Sequence, residues 1–190
     1  MLEVVVFIAT VLVLIMILRK LPVGVGEASK GNGKGKTAKA NGLREEADEY
    51  FEKGEIKKAE KAYLKLLKEK PGDATLYNKL GLVYLEDKNF RDAKSALIQA
   101  LKLEPENDTF YNNLGLLYYE MGRYEEAIEV YERSIAINDK IASRLVNLGL
   151  AHFMCKKYRK AADQYERAII LDPRNEAYVE LLKKAEEKLK

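Results

Sequence analysis

Apolar residues follow two patterns along this chain, and the change between them is abrupt. Val4 to Leu18 is an unbroken run, VVVFIATVLVLIMIL, fifteen residues without a charge. From residue 43 onward apolar residues return instead at steps of three, four and seven, the spacing that places them on one face of an α-helix. Tyr77, Leu80, Gly81 and Tyr84 mark one such face, and Phe90, Ala93, Leu97 and Ala100 mark the next. The same two faces return as Tyr111, Leu114, Gly115, Tyr118 and Tyr124, Ala127, Tyr131, Ser134. They return again as Leu145, Leu148, Gly149, His152 and Tyr158, Ala161, Tyr165, Ala168. A weaker copy precedes them: Leu43, Ala47 and Tyr50, with Glu46 in the Leu place, then Ile56, Ala59, Tyr63 and Leu66.

The period is 34 residues. Gly81, Gly115 and Gly149 each stand in a Leu-Gly-Leu context, and Pro71, Pro105 and Pro173 fall on the same grid, with Asp139 in the remaining proline place. Self-similarity at this length means stacked supersecondary units. Each unit is predicted to be two helices. The glycines admit a close helix pair, Ala93, Ala127 and Ala161 answer from the second helix, large Tyr and Leu fill the layer between units, and the proline ends the second helix. No unit can cover its apolar face alone, so stacking supplies the stability.

Four consecutive copies make the chain resemble the tetratricopeptide-repeat (TPR) proteins over residues 40–175, in units 40–73, 74–107, 108–141 and 142–175. Residues 176–190 look like the helix that caps such arrays, with Val179 and Leu182 expected to pack inward and Lys183, Lys184, Glu186 and Glu187 to face water. The resemblance implies an all-α, right-handed superhelical solenoid of antiparallel helix pairs. Its concave face would be lined by the first helix of each unit.

The N-terminal run reads as a transmembrane anchor, residues 1–21. A fifteen-residue helix covers roughly 22 Å of a roughly 30 Å hydrocarbon layer, and Arg19 and Lys20 can snorkel to extend it. It has no polar face, which separates it from an interfacial amphipathic helix. A cleaved signal peptide is the rival reading, but Glu3 precedes the run, the cations follow it, and no A-x-A site appears. The positive-inside rule then places the N-terminus outside and the repeats in the cytoplasm. Residues 22–39 read as a flexible linker: positions 24–42 are GVGEASKGNGKGKTAKANG, rich in Gly, Lys and Ala and without aromatics. The formal charge of +3 sits at this end. Residues 1–42 hold six cations against two carboxylates, +4, which leaves −1 for the remainder. A nucleic-acid reader carries its positive charge on the folded domain, so nucleic acid is not an expected partner.

On the face the resemblance assigns to a partner stand Arg44, Asp48, Asn78, Lys79, Leu82, Glu86, Asn112, Asn113, Leu116, Tyr119, Asn147, Leu150 and Phe153. Asn113 and Asn147 are equivalent places one unit apart, and Asn78 and Asn112 are a second such pair. An Asn amide carries two donors and an acceptor and can pair with the backbone of an extended peptide. Such a row is similar to the asparagine ladder of some family members, and Leu82, Leu116 and Leu150 would add apolar contact. The family's other mode, a basic clamp on a C-terminal carboxylate, would place Arg44, Asp48, Lys79, Thr109 and Asn113 here. Asp48 repels a carboxylate, and the later cations are missing.

Catalytic chemistry finds little footing. A single Cys excludes a disulfide framework and a multi-Cys metal site. Gly35-Lys36-Thr37 ends like a phosphate-binding loop, but Lys30 stands where its first glycine belongs. His152 and Cys155 share a helix face, yet His152 fills the place of Tyr50, Tyr84 and Tyr118, and no third group orients the pair. No enzyme activity, cofactor, metal or small-molecule substrate is expected. The expected function is recruitment of a peptide segment or helix of a partner protein at a membrane. A structural subunit of a larger membrane complex and an import- or assembly-type receptor are the alternatives.

Overall fold

The computed structural model describes residues 36–190, with side chains from residue 41. The expected anchor (1–21) and the linker as far as residue 35 lie outside them. Within the described residues the elements are all α-helical: α1 (Lys36–Glu52), α2 (Ile56–Glu69), α3 (Ala74–Glu86), α4 (Phe90–Leu103), α5 (Asp108–Glu120), α6 (Tyr124–Ile137), α7 (Ala142–Met154), α8 (Tyr158–Leu171) and α9 (Glu176–Glu187). Helix α1 begins inside the stretch expected to be linker. Residues 36–39 read Lys-Thr-Ala-Lys, and Ala and Lys are good helix formers that the surrounding glycines masked. Among the described residues no helix is long and apolar enough to cross a membrane.

Consecutive helices pack on one another along the chain, and α3, α5 and α7 also touch in series. Two kinds of turn make this possible. Between the helices of a pair, Gly54, Lys88, Gly122 and Lys156 all take positive φ, between 57° and 73°, at the same place in each unit. Each closes the first helix with a paired motif: Lys88 N–H donates to Leu85 C=O at 3.0 Å while Asn89 N–H donates to Tyr84 C=O at 2.8 Å, and the other three units repeat it. Between units, Asp73 caps α3 by accepting from Leu76 N–H at 3.1 Å, and Asn107 caps α5 by accepting from Thr109 N–H at 3.1 Å.

Close approach within each pair depends on the glycine column. A Cβ at Gly81 would lie 2.7 Å from Leu97 Cγ, and one at Gly115 would lie 2.6 Å from Tyr131 Cδ1 and Cε1; at Gly149 it would strike the Tyr165 ring. Tyr131, Tyr165 and Leu97 are thereby almost wholly removed from water, as is Tyr63 in the first unit, where Ala47 holds the glycine place, each such side chain contributing roughly 1.5–3 kcal/mol. Between the first two units Leu66, Leu67, Leu76, Leu80 and Val83 join one apolar cluster, and Ala74, Ala100 and Phe110 form the next.

Helix α9 corrects one expectation. Tyr178, Leu181 and Ala185 face inward, while Val179 is 50% exposed and Leu182 only half-buried. The reason is register. Helix α9 stands where the first helix of a fifth unit would, so Val179 and Leu182 hold the places of Tyr77 and Leu80. Those places belong to the face that meets the unit's own second helix, and no helix among the described residues covers that face of α9. Lys183 occupies the glycine place, which blocks a further helix from approaching closely.

Two substitutions test this geometry by urea unfolding. Gly115→Ala is expected to lower stability by about 1–3 kcal/mol, because the buried Tyr131 ring cannot move aside; an open helix site would gain roughly 1 kcal/mol from the same change. Lys88→Gly is expected to raise stability by about 0.5–1 kcal/mol by relieving the left-handed backbone.

Candidate functional site

Residues four apart on the first helices form one stripe per unit: Arg44–Asp48, Asn78–Leu82–Glu86, Asn112–Leu116–Glu120 and Val146–Leu150–Met154. Of the expected site residues Asn78, Leu82, Asn112, Leu116 and Leu150 lie on these stripes, whereas Lys79, Asn113, Tyr119, Asn147 and Phe153 lie beside them, and the asparagines are joined on a diagonal. Asn113 Nδ2 donates to Asn78 Oδ1 at 2.8 Å, and Asn147 Nδ2 donates to Asn112 Oδ1 at 3.0 Å. The step between partners is 35 residues, so equivalent asparagines do not touch; each meets the preceding place in the neighbouring unit. Arg144 Nη2 follows the same step to Thr109 Oγ1, at 3.0 Å. Asn78 and Asn113 are only 6% and 9% exposed, whereas Asn112 and Asn147 are half-buried.

The apolar contribution is smaller than expected. Leu82 is half-buried, but Leu116 and Leu150 are buried, because part of this face is contact between neighbouring first helices. Tyr119 and Phe153 remain half-buried at the last turns of α5 and α7. Each packs edge-to-face on the first residue of the following helix, Tyr119 on Tyr124 with centroids 5.3 Å apart and Phe153 on Tyr158 at 5.1 Å. Burial, with Tyr124 and Glu120 nearby, pushes the Tyr119 phenol up, so it stays a hydrogen-bond donor at ordinary pH.

Charge at the other end of the face is paired internally. Lys79 Nζ lies 2.5 Å from Asp48 Oδ1, which also accepts from the Tyr63 hydroxyl, and Arg44 Nη2 lies 2.5 Å from Asp73 Oδ2. These partly exposed pairs contribute little to stability, at most about 1 kcal/mol each. They do neutralise the two cations a carboxylate would seek. The roles of Tyr63, Thr109 and Arg144 escaped the sequence reading. A 34-residue comparison aligns equivalent places, and these contacts join non-equivalent ones.

His152 and Cys155 are not poised for nucleophilic chemistry. His152 is 3% exposed with Nδ1 unpartnered. Burial, reinforced by Lys160 and Lys157, pulls its imidazole down to about 4, so it is neutral near pH 7. Burial and a hydrogen bond with Glu125 push the Cys155 thiol up, away from the reactive thiolate. Among the described residues no group of three or more His, Cys, Asp or Glu is arranged to hold a metal ion.

Sequence profiles described as tetratricopeptide repeat match residues 78–140 and 142–175, and one described as TPR repeat matches residues 47–88. No curated protein matches the chain. Among solved structures, the crystal structure of MamA protein is 26% identical, with a TM-score of 0.68 over 78% of this chain and 81% of its own. The first TPR of Spaghetti (RPAP3), bound to the HSP90 peptide SRMEEVD, is 22% identical, with a TM-score of 0.59 over 61% of this chain and 92% of its own. The Arabidopsis OM64 TPR domain is 21% identical, with a TM-score of 0.57 over 60% and 94%. The last two likenesses show a shared fold.

The buried imidazole carries a pH signature. Its folded value of about 4 lies below the ordinary 6.5, so its contribution to stability is complete above pH 6.5. That contribution is lost progressively as pH falls toward 4, because the unfolded chain takes up a proton the folded chain refuses. Between pH 7 and pH 5 the native protein is expected to lose roughly 2 kcal/mol more than His152→Tyr, the residue of the other units, in parallel urea titrations.

Proposed function

Since residues 47–175 carry tetratricopeptide repeats, we propose that the protein is an interaction scaffold that holds an extended peptide segment, or a helix, of a partner protein along the face of its first helices. The observation that carries this reading is the half-buried Asn112–Asn147 pair, with half-buried Tyr119 and Phe153 at the last turns of the same two helices. Their mutual bond uses one carbonyl and one N–H. The Asn112 amide nitrogen and the Asn147 carbonyl oxygen are left to pair with a peptide backbone, which asks little of the peptide's sequence. Tyr119 and Phe153 supply apolar area with few rotors to immobilise. Asn78 and Asn113, nearly closed to solvent, hold neighbouring units together, and Lys79 and Leu82 border the face.

The likeness to a TPR holding a peptide supports this reading only by analogy of fold. The internal pairing of Arg44 and Lys79 argues against a carboxylate as the anchor. The run from Val4 to Leu18, followed by Arg19 and Lys20, supports tethering of the scaffold to a membrane with the repeats on the cytoplasmic side.

A detergent pulldown with the full chain tests the groove. Asn112→Ala with Asn147→Ala is expected to weaken partner capture about tenfold, as loss of two backbone hydrogen bonds implies, while the circular dichroism spectrum stays helical. Unchanged capture by a folded variant would place the interface elsewhere. Topology is tested by a reporter fused at the C-terminus: one that functions only outside the cytoplasm is expected to stay silent.

A further inference from the structure

One junction departs from the apolar pattern that the others keep between units. Where α4 meets α5, the contact is Ala74, Ala100 and Phe110, all buried and apolar. One period on, the same three places are Asp108, Ser134 and Arg144. The equivalent second-helix and first-helix pair is Leu66 and Leu76 in the first junction and Ala168 and Tyr178 in the last, all buried. Only the α6–α7 junction is polar at these places.

Asp108 joins the three residues. The Arg144 guanidinium pairs with the Asp108 carboxylate and donates to Thr109 Oγ1, and Ser134 Oγ donates to the Asp108 carbonyl at 2.7 Å. Arg144 is 6% exposed and Ser134 fully buried. Burial brings the guanidinium down to about 10, still far above neutral pH, so an ion pair occupies the place of an apolar layer. The turn at this junction is also altered: Asp139 replaces the proline, and Ile141, which has no polar side chain, stands in the place of Asp73, Asn107 and Asn175.

We infer that the α6–α7 junction is a hinge at which α7–α9 open as one body from α1–α6. Opening an apolar junction exposes Leu, Ala and Phe surface that water disfavours. Opening this one returns a carboxylate and a guanidinium to water, which recovers much of the cost of having buried them. In a solenoid each unit touches only its neighbours, so one weaker interface sets where the array parts. The pairs Asn112–Asn147 and Asp108–Arg144 both bridge α5 and α7, so hinge motion widens or narrows the centre of the first-helix face. The hinge stands whether or not that face takes a peptide.

Hydrogen exchange of the full chain in detergent, followed at increasing sub-denaturing urea, tests it. Amides of α7, α8 and α9 are expected to share one opening, with exchange about tenfold or more faster than the slowest amides of α3–α6. End fraying would instead give rates that fall step by step from α9 to α7, and that result would overturn the hinge. The decisive variant is Asp108→Ala, Ser134→Ala and Arg144→Phe together, which copies the Ala74, Ala100 and Phe110 layer. It is expected to slow exchange in α7–α9 by about tenfold and merge it with α3–α6. Unchanged exchange in the folded variant would also overturn the proposal. Should the variant fail to fold, the native urea profile alone decides between one shared opening and graded fraying.

Discussion

Close contact between a glycine on one helix and a large side chain on the next underlies the rest of this fold. Gly115 under the Tyr131 ring, Gly149 under Tyr165 and Gly81 under Leu97 set the distance between the helices of a pair. That distance decides which side chains are removed from water and which face a neighbouring unit. In the first unit Ala47 holds the glycine place, and Tyr63, which stands in the place of Leu97, Tyr131 and Tyr165, reaches the candidate binding face. The Tyr63 hydroxyl ends on Asp48, which in turn holds Lys79 of the next unit. One row of residues therefore closes each pair and fixes charges on the face where a partner would lie.

Stability in such an array is a chain of neighbour contacts, and the chain need not be uniform. Apolar layers join the first units, an ion pair and a hydrogen bond from Arg144 join α7 to α5 of the preceding unit, and an apolar layer with Tyr178 closes the end. A buried ion pair is a poor source of net stability but a strict judge of geometry, since removing one member leaves a charge without solvent or partner. The Asn78–Asn113 bond works in the same direction, setting the register of neighbouring first helices. The polar groups between first helices thus specify how the units sit on one another, while the apolar groups within pairs drive folding.

Much of the architecture was legible because it rests on spacing. The glycine column, the proline grid and the alternation of two faces fixed helix pairs and their order, and they bore on the family before any coordinate was known. Reading failed where a residue's role depends on a neighbour that periodicity does not name. Val179 and Leu182 have the right spacing to be core, but no helix among the described residues covers them. Leu116 and Leu150 have the right place to meet a partner, but the adjoining first helices cover them. Residues 36–39 sit among glycines and still form the first turn of α1.

The sequence by itself determined that the chain repeats, that each repeat is two helices, and that a small residue, glycine in three of the four units, must stand where they cross, because these follow from local periodicity and the volume of a side chain. The tertiary structure decided which asparagines meet, that Asp108, Ser134 and Arg144 fill an apolar layer's place, and that Asn112 and Asn147 rather than Asn78 and Asn113 stay within reach of a partner. Those outcomes depend on the small offset between stacked units, a 35-residue step laid over a 34-residue period. That offset arises from packing between units and leaves no mark in the spacing of any one of them.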